Sequence, residues 1–443
     1  MWCNASIMEI AAINRESDKR PIAKEHLNSV VEEVLNGTSF IDIHTHLFAP
    51  ALGNLGLWGI DDLLTYHYLE AEFFRYSSMP PEQYWKLTKP QRADVIWRTL
   101  FLENTPISEA ARGVVLVLDA LGLNPAATSL APLREFFRKQ NLIDYIARIL
   151  RLSGVSDVVM TNDPLDPEEE AAWKNGGELD SQFYASLRLD RILNDWNSHY
   201  RYLSEQGYPV ERDANETTLT SLRRFLSSCV ARIRPVYMAV SLPDTFTFPG
   251  EDVRNTLLTG AVLPACHEFQ LPLALMIGVR RQVNPALRLA GDASGRADMR
   301  SIAALCDQFP DNRIMVSVLS RENQHELCVY ARKFRNLLPF GCWWFLNNPS
   351  IVEEITRERL EMLGTTFIPQ HSDARVLEQL IYKWRNTRRT MAPLLAKAYT
   401  LLMEDGRGIT KEDVRRDIYR LFRGNFEHWT NRTINNANSS SPG

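Results

Sequence analysis

Eight short apolar runs rich in β-formers recur along the chain, at residues 39–43, 157–160, 183–189, 236–242, 273–279, 313–319, 337–345 and 365–369. Their apolar character is nearly continuous rather than alternating, which predicts strands buried on both faces. Stretches with helical periodicity separate most of them, for example 299–308, 322–334 and 351–363, where Ile351, Ile355 and Leu363 fall broadly on one face. Strand and helix alternating over 443 residues predict the α/β class and a (β/α)8 TIM barrel. The competing open, doubly wound sheet normally begins with a Gly-rich phosphate loop, which this sequence lacks.

The interval 48–154, between the first two runs, is far longer than one crossover helix requires. It is rich in Trp, Leu, Arg and Glu, with periodic patches at 81–102 and 108–121. A structureless loop of that length is uncommon, so the interval reads as a helical cap inserted after the first strand and sitting on the barrel mouth. A second helical block at 374–404 follows the last run, and 411–422 predicts one more helix that closes the barrel. No internal repeat or low-complexity linker is visible, so a single barrel over 1–443 is expected, with a disordered polar tail at 435–443.

Composition narrows the partners. Lys+Arg number 50 against 54 Asp+Glu, a net charge of −4, which gives no basis for a general nucleic-acid binder. The longest apolar runs, such as 271–279, are too short to span a bilayer, so no membrane association is expected. The six cysteines are scattered without a CxxC pair and read as reduced thiols, not as a zinc ribbon or a disulfide framework. The first residues lack the apolar stretch of a signal peptide, and a cytoplasmic location is the expectation. Association into a homo-oligomer through the outer helices stays open.

The sharpest local feature is Ile41-Asp42-Ile43-His44-Thr45-His46, an apolar strand ending in HxH. Side chains two apart on a strand point the same way, so His44 and His46 can converge on one metal at the strand's C-terminal end, where barrel enzymes keep their sites. Asp373, in His371-Ser372-Asp373-Ala374-Arg375, lies just after the eighth run. In a closed barrel that run neighbours the first, and two imidazoles with one carboxylate suit a divalent ion with open positions: zinc fits the imidazoles first, and Mn²⁺, Fe²⁺ or Co²⁺ would also tolerate the set. Asp373 could instead cap the following helix. Arg375 could neutralise Asp373, hold an anionic substrate group or be a solvated charge.

Taken in order, FIDIHTHLF, LLTYHYLEAEFFR, VVMTNDPLD, ASLRLD, LMIGVRR, GCWWF and HSDAR resemble the uronate (glucuronate) isomerase family of the amidohydrolase superfamily. The resemblance runs from about Ser39 to His428, and GNFEHW near Asn425 is similar to the family's closing helix. It implies a sugar-acid substrate and an aldose–ketose isomerisation of the D-glucuronate to D-fructuronate type, through an enediol-like intermediate. It implies His44, His46 and Asp373 as metal ligands and Tyr68 in proton transfer, with His67 beside it at the substrate. Arg375 would steady charge on the substrate oxygens, while Arg188, Asp244, Trp343 and Trp344 would contact substrate. Several of these have structural alternatives: packing in the cap for His67 and Tyr68, an ion pair with Asp190 for Arg188, and a turn for Asp163.

Three positions depart from the family pattern. Met276 and Thr245 stand where the family usually has histidines, and Arg281 where it tends to have asparagine. A thioether cannot act as acid, base or charge-assisted donor. Two further readings therefore stand beside isomerisation: a hydrolase or lyase reaction on the same barrel, or a non-catalytic binder of a carboxylated ligand.

Overall fold

The computed structural model describes residues 18–53, 55–175, 179–432 and 434; the tail expected at 435–443 and Cys3 lie outside them. Its strands are β1 (Phe40–Thr45), β2 (Val155–Asn162), β3 (Phe183–Arg188), β4 (Met238–Pro243), β5 (Leu273–Arg280), β6 (Ala293–Ser294), β7 (Ile314–Val318) and β8 (Leu337–Pro339). Seven of them form a curled parallel sheet among the described residues, in the order β1-β2-β3-β4-β5-β7-β8, and β6 folds back antiparallel on β5. The continuous apolar runs follow from this burial. Along β5, Leu273, Leu275 and Ile277 join the core beneath the helices. Ala274 and Met276 join an inner core with Ile41, Ile43, Val159, Tyr237 and Met315. Period-two geometry thus divides each strand between two dry faces.

The last two runs differ from expectation. Strand pairing in 337–345 ends at Pro339, and 365–369 contributes a single bridge, Phe340 to Ile368. Pro339 and Pro369 carry no N–H for a longer ladder. The extended segment is nevertheless held on both sides. Ile368 N–H donates to Pro339 O (3.1 Å) and Gly341 N–H to Ile368 O (2.8 Å), while Asp373 N–H donates to His44 O (3.1 Å) and His46 N–H to Ala374 O (2.7 Å). Gly341 adopts φ +64°, and a Cβ there would overlap the His371 imidazole, so the chain turns at this point only with glycine.

Nine short helical segments, from Pro50–Leu52 to Leu142–Ser153, lie between β1 and β2 among the described residues. Their ends obey local chemistry. Thr88 and Gln91 form a capping box, Ser108 caps Glu109–Leu121, and Asn141 caps Leu142–Ser153. Two of these helices, Glu109–Leu121 and Leu142–Ser153, pack on the long helix Gln379–Glu404. The five described cysteines outside Cys3 are free and buried. Among the described residues no helix is long and apolar enough to cross a membrane.

Candidate active site

His44 and His46 sit at the C-terminal end of β1, and Asp373 enters from the segment hydrogen-bonded alongside it. Asp373 has a left-handed backbone (φ 53°), which turns its carboxylate toward the two rings. Its Oδ1 lies 3.6 Å from His44 Nε2 and 3.3 Å from His46 Nε2. One ligand atom from each residue lies within 4.8 Å of the others. The helix-capping role for Asp373 is not realised, because the next helix begins at Gln379.

The hydrogen bonds behind His44 decide its tautomer. Tyr237 OH donates to Ile43 O (2.7 Å) and Thr161 Oγ1 donates to Thr45 O (2.9 Å), so both hydroxyl protons are committed. Both oxygens face His44 Nδ1, at 3.1 and 3.4 Å, and can only accept from it. Nδ1 therefore carries the proton and Nε2 keeps a free lone pair. Burial pushes the His44 imidazolium down to about 3, and His46 is driven well below its usual range by burial and by the Arg375 guanidinium. Buried lone pairs on His44 Nε2 and Asp373 Oδ1 thus face each other with no hydrogen-bond partner. Such an arrangement is costly unless a cation lies between, and the neutral-imidazole and carboxylate donors fit a divalent metal.

Asp42 fixes this corner from below. Its Oδ1 accepts from Ser372 N–H (3.0 Å) and its Oδ2 from Trp384 Nε1 (2.8 Å), and the residue is fully buried. Burial pushes its carboxyl up to about 6, against the opposing pull of these hydrogen bonds.

A narrow cavity opens beside the cluster. His46, Asp373 and Arg375 form one wall, Tyr66 and His67 another, and Arg188, Ser241, Met276, Arg281, Trp343 and Trp344 much of the rest. The Arg375 guanidinium makes no hydrogen bond or ion pair among the described residues, and the backbone N–H of Arg375 donates to Gln379 Oε1 (2.9 Å). Arg188 does pair with Asp190 (2.5 Å), and Asp190 in turn accepts from Ser241 N–H (2.9 Å), yet the arginine still lines the cavity. Both tryptophans reach the lining although both are buried.

Other expected site residues fall elsewhere. Tyr68 is one position behind the lining, its ring 4.4 Å from that of His67 and 5.5 Å from the Lys383 ammonium. Asp244 is not brought to this cavity: it pairs with Arg280 (2.5 Å) and faces a separate opening near Gly295 and Ser320. Asp163 accepts from Leu165 N–H (3.0 Å), as its turn reading requires. Thr245 is exposed and outside the lining, whereas Met276 lines it. The sequence reading missed Asp42, Tyr237, Thr161 and Trp384. Only Asp42 carried a local signal, a carboxylate in the middle of an apolar strand.

No family model and no curated protein matches the chain. Solved structures do. A uronate isomerase from Bacillus halodurans C-125 is 46% identical, with 94% of this chain and 98% of that chain covered and a TM-score of 0.91. A uronate isomerase from Thermotoga maritima (16% identity, 92% and 99% covered, TM-score 0.73) shares the fold. So does a glucuronate isomerase from Caulobacter crescentus (16% identity, 92% and 94% covered, TM-score 0.73).

Proposed function

The chain belongs to the uronate isomerase family, and from that premise we propose that its cavity interconverts the aldose and ketose forms of a hexuronate of the D-glucuronate type. The observation that carries the chemistry is that Asp373 is the one carboxylate lining the cavity among the described residues, in the company of Arg188, Arg281 and Arg375.

Isomerisation moves one proton from C2 of the aldose to C1 and a second from the C2 hydroxyl to the carbonyl oxygen. Asp373 accepts the carbon-bound proton and returns it to the neighbouring carbon. The second proton passes from one substrate oxygen to the other, while the Tyr68 phenol, which burial holds protonated and well above its usual range, packs against His67 from behind the lining. Arg375, with a guanidinium free of ion pairs, steadies negative charge developing on those oxygens. Arg188, anchored by Asp190, directs its remaining donors to the substrate, and Trp343 and Trp344 supply an apolar wall. Met276 leaves the β5 side of the cavity without an acid or base, which concentrates proton transfer on the opposite wall. His44, His46 and Asp373 would hold a divalent metal, zinc by this donor set, which supplies Lewis-acid polarisation of a substrate oxygen when bound.

The same reading takes the curled sheet and segment 367–374 as one (β/α)8 barrel, with 48–154 as a cap inserted after its first strand. Support comes from the hydrogen bonds that tie this segment to β8 and β1, and from Tyr66 and His67, which reach the cavity from that interval. A cytoplasmic setting accords with the free thiols. The test is metal-loaded protein incubated with D-glucuronate in deuterated water and followed by proton NMR. Ketose formation with exchange at the transferred carbon position is expected, and both are lost in His44→Ala; neither appearing in the wild type would sink the proposal.

A further inference from the structure

The cavity holds one hydrogen bond between two of its own walls. Trp344 Nε1 donates to His67 Nε2 over 2.9 Å, linking the turn after β8 to the first residue of the helix His67–Tyr76. An indole N–H has no acceptor capacity, so His67 Nε2 must be the unprotonated nitrogen. We infer that Trp344 holds His67 as the neutral Nδ1–H tautomer, so that His67 meets a substrate oxygen only as a hydrogen-bond donor and Trp344 is a positioning residue. The inference deepens the sugar-acid reading and depends on it for the identity of the acceptor, though not for the tautomer.

Both partners are held rigidly. Trp344 occupies the left-handed region (φ 46°), an unfavourable conformation for a bulky residue that its surroundings must enforce. Its ring stacks on Phe345 (4.7 Å, 15°), and the Arg281 guanidinium lies 5.8 Å from its centroid. Asp292 fixes Arg281 in turn, accepting from its Nη1 (2.6 Å) and from Gln282 N–H (2.8 Å). The His67 ring packs against both Tyr66 (4.1 Å) and Tyr68 (4.4 Å), whose own rings lie 5.1 Å apart.

The electrostatics agree with the geometry. A doubly protonated His67 would set an N–H against the indole N–H. The charged and titratable groups around it are Arg375, Asp373, Lys383 and His46; burial first, then Arg375, pushes its imidazolium down to about 3. His67 is thereby removed from the set of cavity bases, which leaves Asp373 to take the carbon-bound proton.

The test is spectroscopic first and kinetic second. In protein labelled with ¹⁵N-histidine, His67 is identified as the long-range ¹H–¹⁵N pattern missing from His67→Asn. The expected wild-type pattern is the Nδ1–H tautomer, constant from about pH 6 to 9. Trp344→Phe keeps the aromatic wall but removes the donor. It should shift His67 toward the Nε2–H form and lower kcat for D-glucuronate by about tenfold, with KM changed by less than about threefold. An Nε2–H or doubly protonated His67 in the wild type at neutral pH overturns the inference, as does a Trp344→Phe protein with the wild-type tautomer and kcat. If the variant does not fold, the wild-type spectrum decides. If the wild type turns over no hexuronate, the isomerase reading fails while the spectra still settle the tautomer.

Discussion

Asp42 binds Trp384 through a 2.8 Å hydrogen bond from the indole Nε1 to Oδ2, joining β1 to the long helix Gln379–Glu404. The other oxygen accepts from Ser372 N–H at 3.0 Å, immediately before Asp373. One buried carboxylate therefore aligns the strand end bearing His44 and His46 with the segment bearing Asp373. Asp42→Asn must turn an amide NH2 toward one of these donors. We expect destabilisation of about 1–3 kcal/mol in urea unfolding. Zinc affinity should fall about tenfold or more, measured by competition with a chelator. Unchanged affinity would show that Asp42 supports the fold without setting the ligand geometry.

Tyr237 acts on His44 from the other side, accepting from its Nδ1 at 3.1 Å while donating to Ile43 O. Tyr237→Phe removes the nearer acceptor and leaves Thr161 at 3.4 Å. Weaker orientation of the ring should lower zinc affinity about tenfold, and Thr161→Val added to it should lower affinity further. Additive, equally small effects on metal binding and on thermal stability would instead identify a packing role.

Arg375 separates activity from stability. Because its guanidinium makes no ion pair among the described residues, Arg375→Lys should change unfolding free energy by less than about 0.5 kcal/mol. A point charge cannot reproduce the planar fork, so kcat/KM for D-glucuronate should fall about a hundredfold. A large stability loss accompanying the activity loss would contradict the free guanidinium.

How much of this was legible in the sequence depends on distance along the chain. Apolar continuity exposed the strands, because burial on both faces leaves a local imprint; β8 and the eighth run were over-extended because Pro339 and Pro369 cut the ladder inside an apolar stretch. The meeting of His44, His46 and Asp373 was legible because HxH is local and the expected barrel brings the last run beside the first. Partners that act across hundreds of residues left no such imprint. Trp384 has no nearby sign of contact with Asp42, and buried Arg359 braces the Trp343–Trp344 turn by donating to Gly341 O (2.9 Å) and Gln324 Oε1 (3.0 Å), from inside an ordinary amphipathic helix. For Asp244 the family resemblance implied substrate contact; in the structure it pairs with Arg280 and is closely approached by Gly295 beside the β5–β6 hairpin.

Met276 offers a sharper check on the cavity's chemistry. It is 3% exposed and lines the β5 side, where only shape and apolarity are demanded of it. Met276→Leu conserves volume, and kcat should stay within about threefold of wild type. A hundredfold loss in steady-state turnover would assign the thioether a part in the reaction.

Glu378 couples stability to pH at the junction of the cap interval and the long helix. Its Oε1 accepts from Gly59 N–H and from Tyr145 OH, each at 2.9 Å, while Oε2 is buried without a partner. Burial raises its carboxyl from 4.5 to about 7, outweighing these hydrogen bonds. The folded state thus holds a proton that the unfolded chain releases, so this group's stabilisation is complete below pH 4.5 and is lost as pH rises to about 7. Glu378→Gln imitates the protonated acid and keeps the accepting oxygen. Wild type and variant should be similarly stable near pH 4, and the variant should be more stable at pH 8 by on the order of 3 kcal/mol in urea unfolding. An offset between the two proteins that does not change with pH would mean that Glu378 is not protonated in the fold.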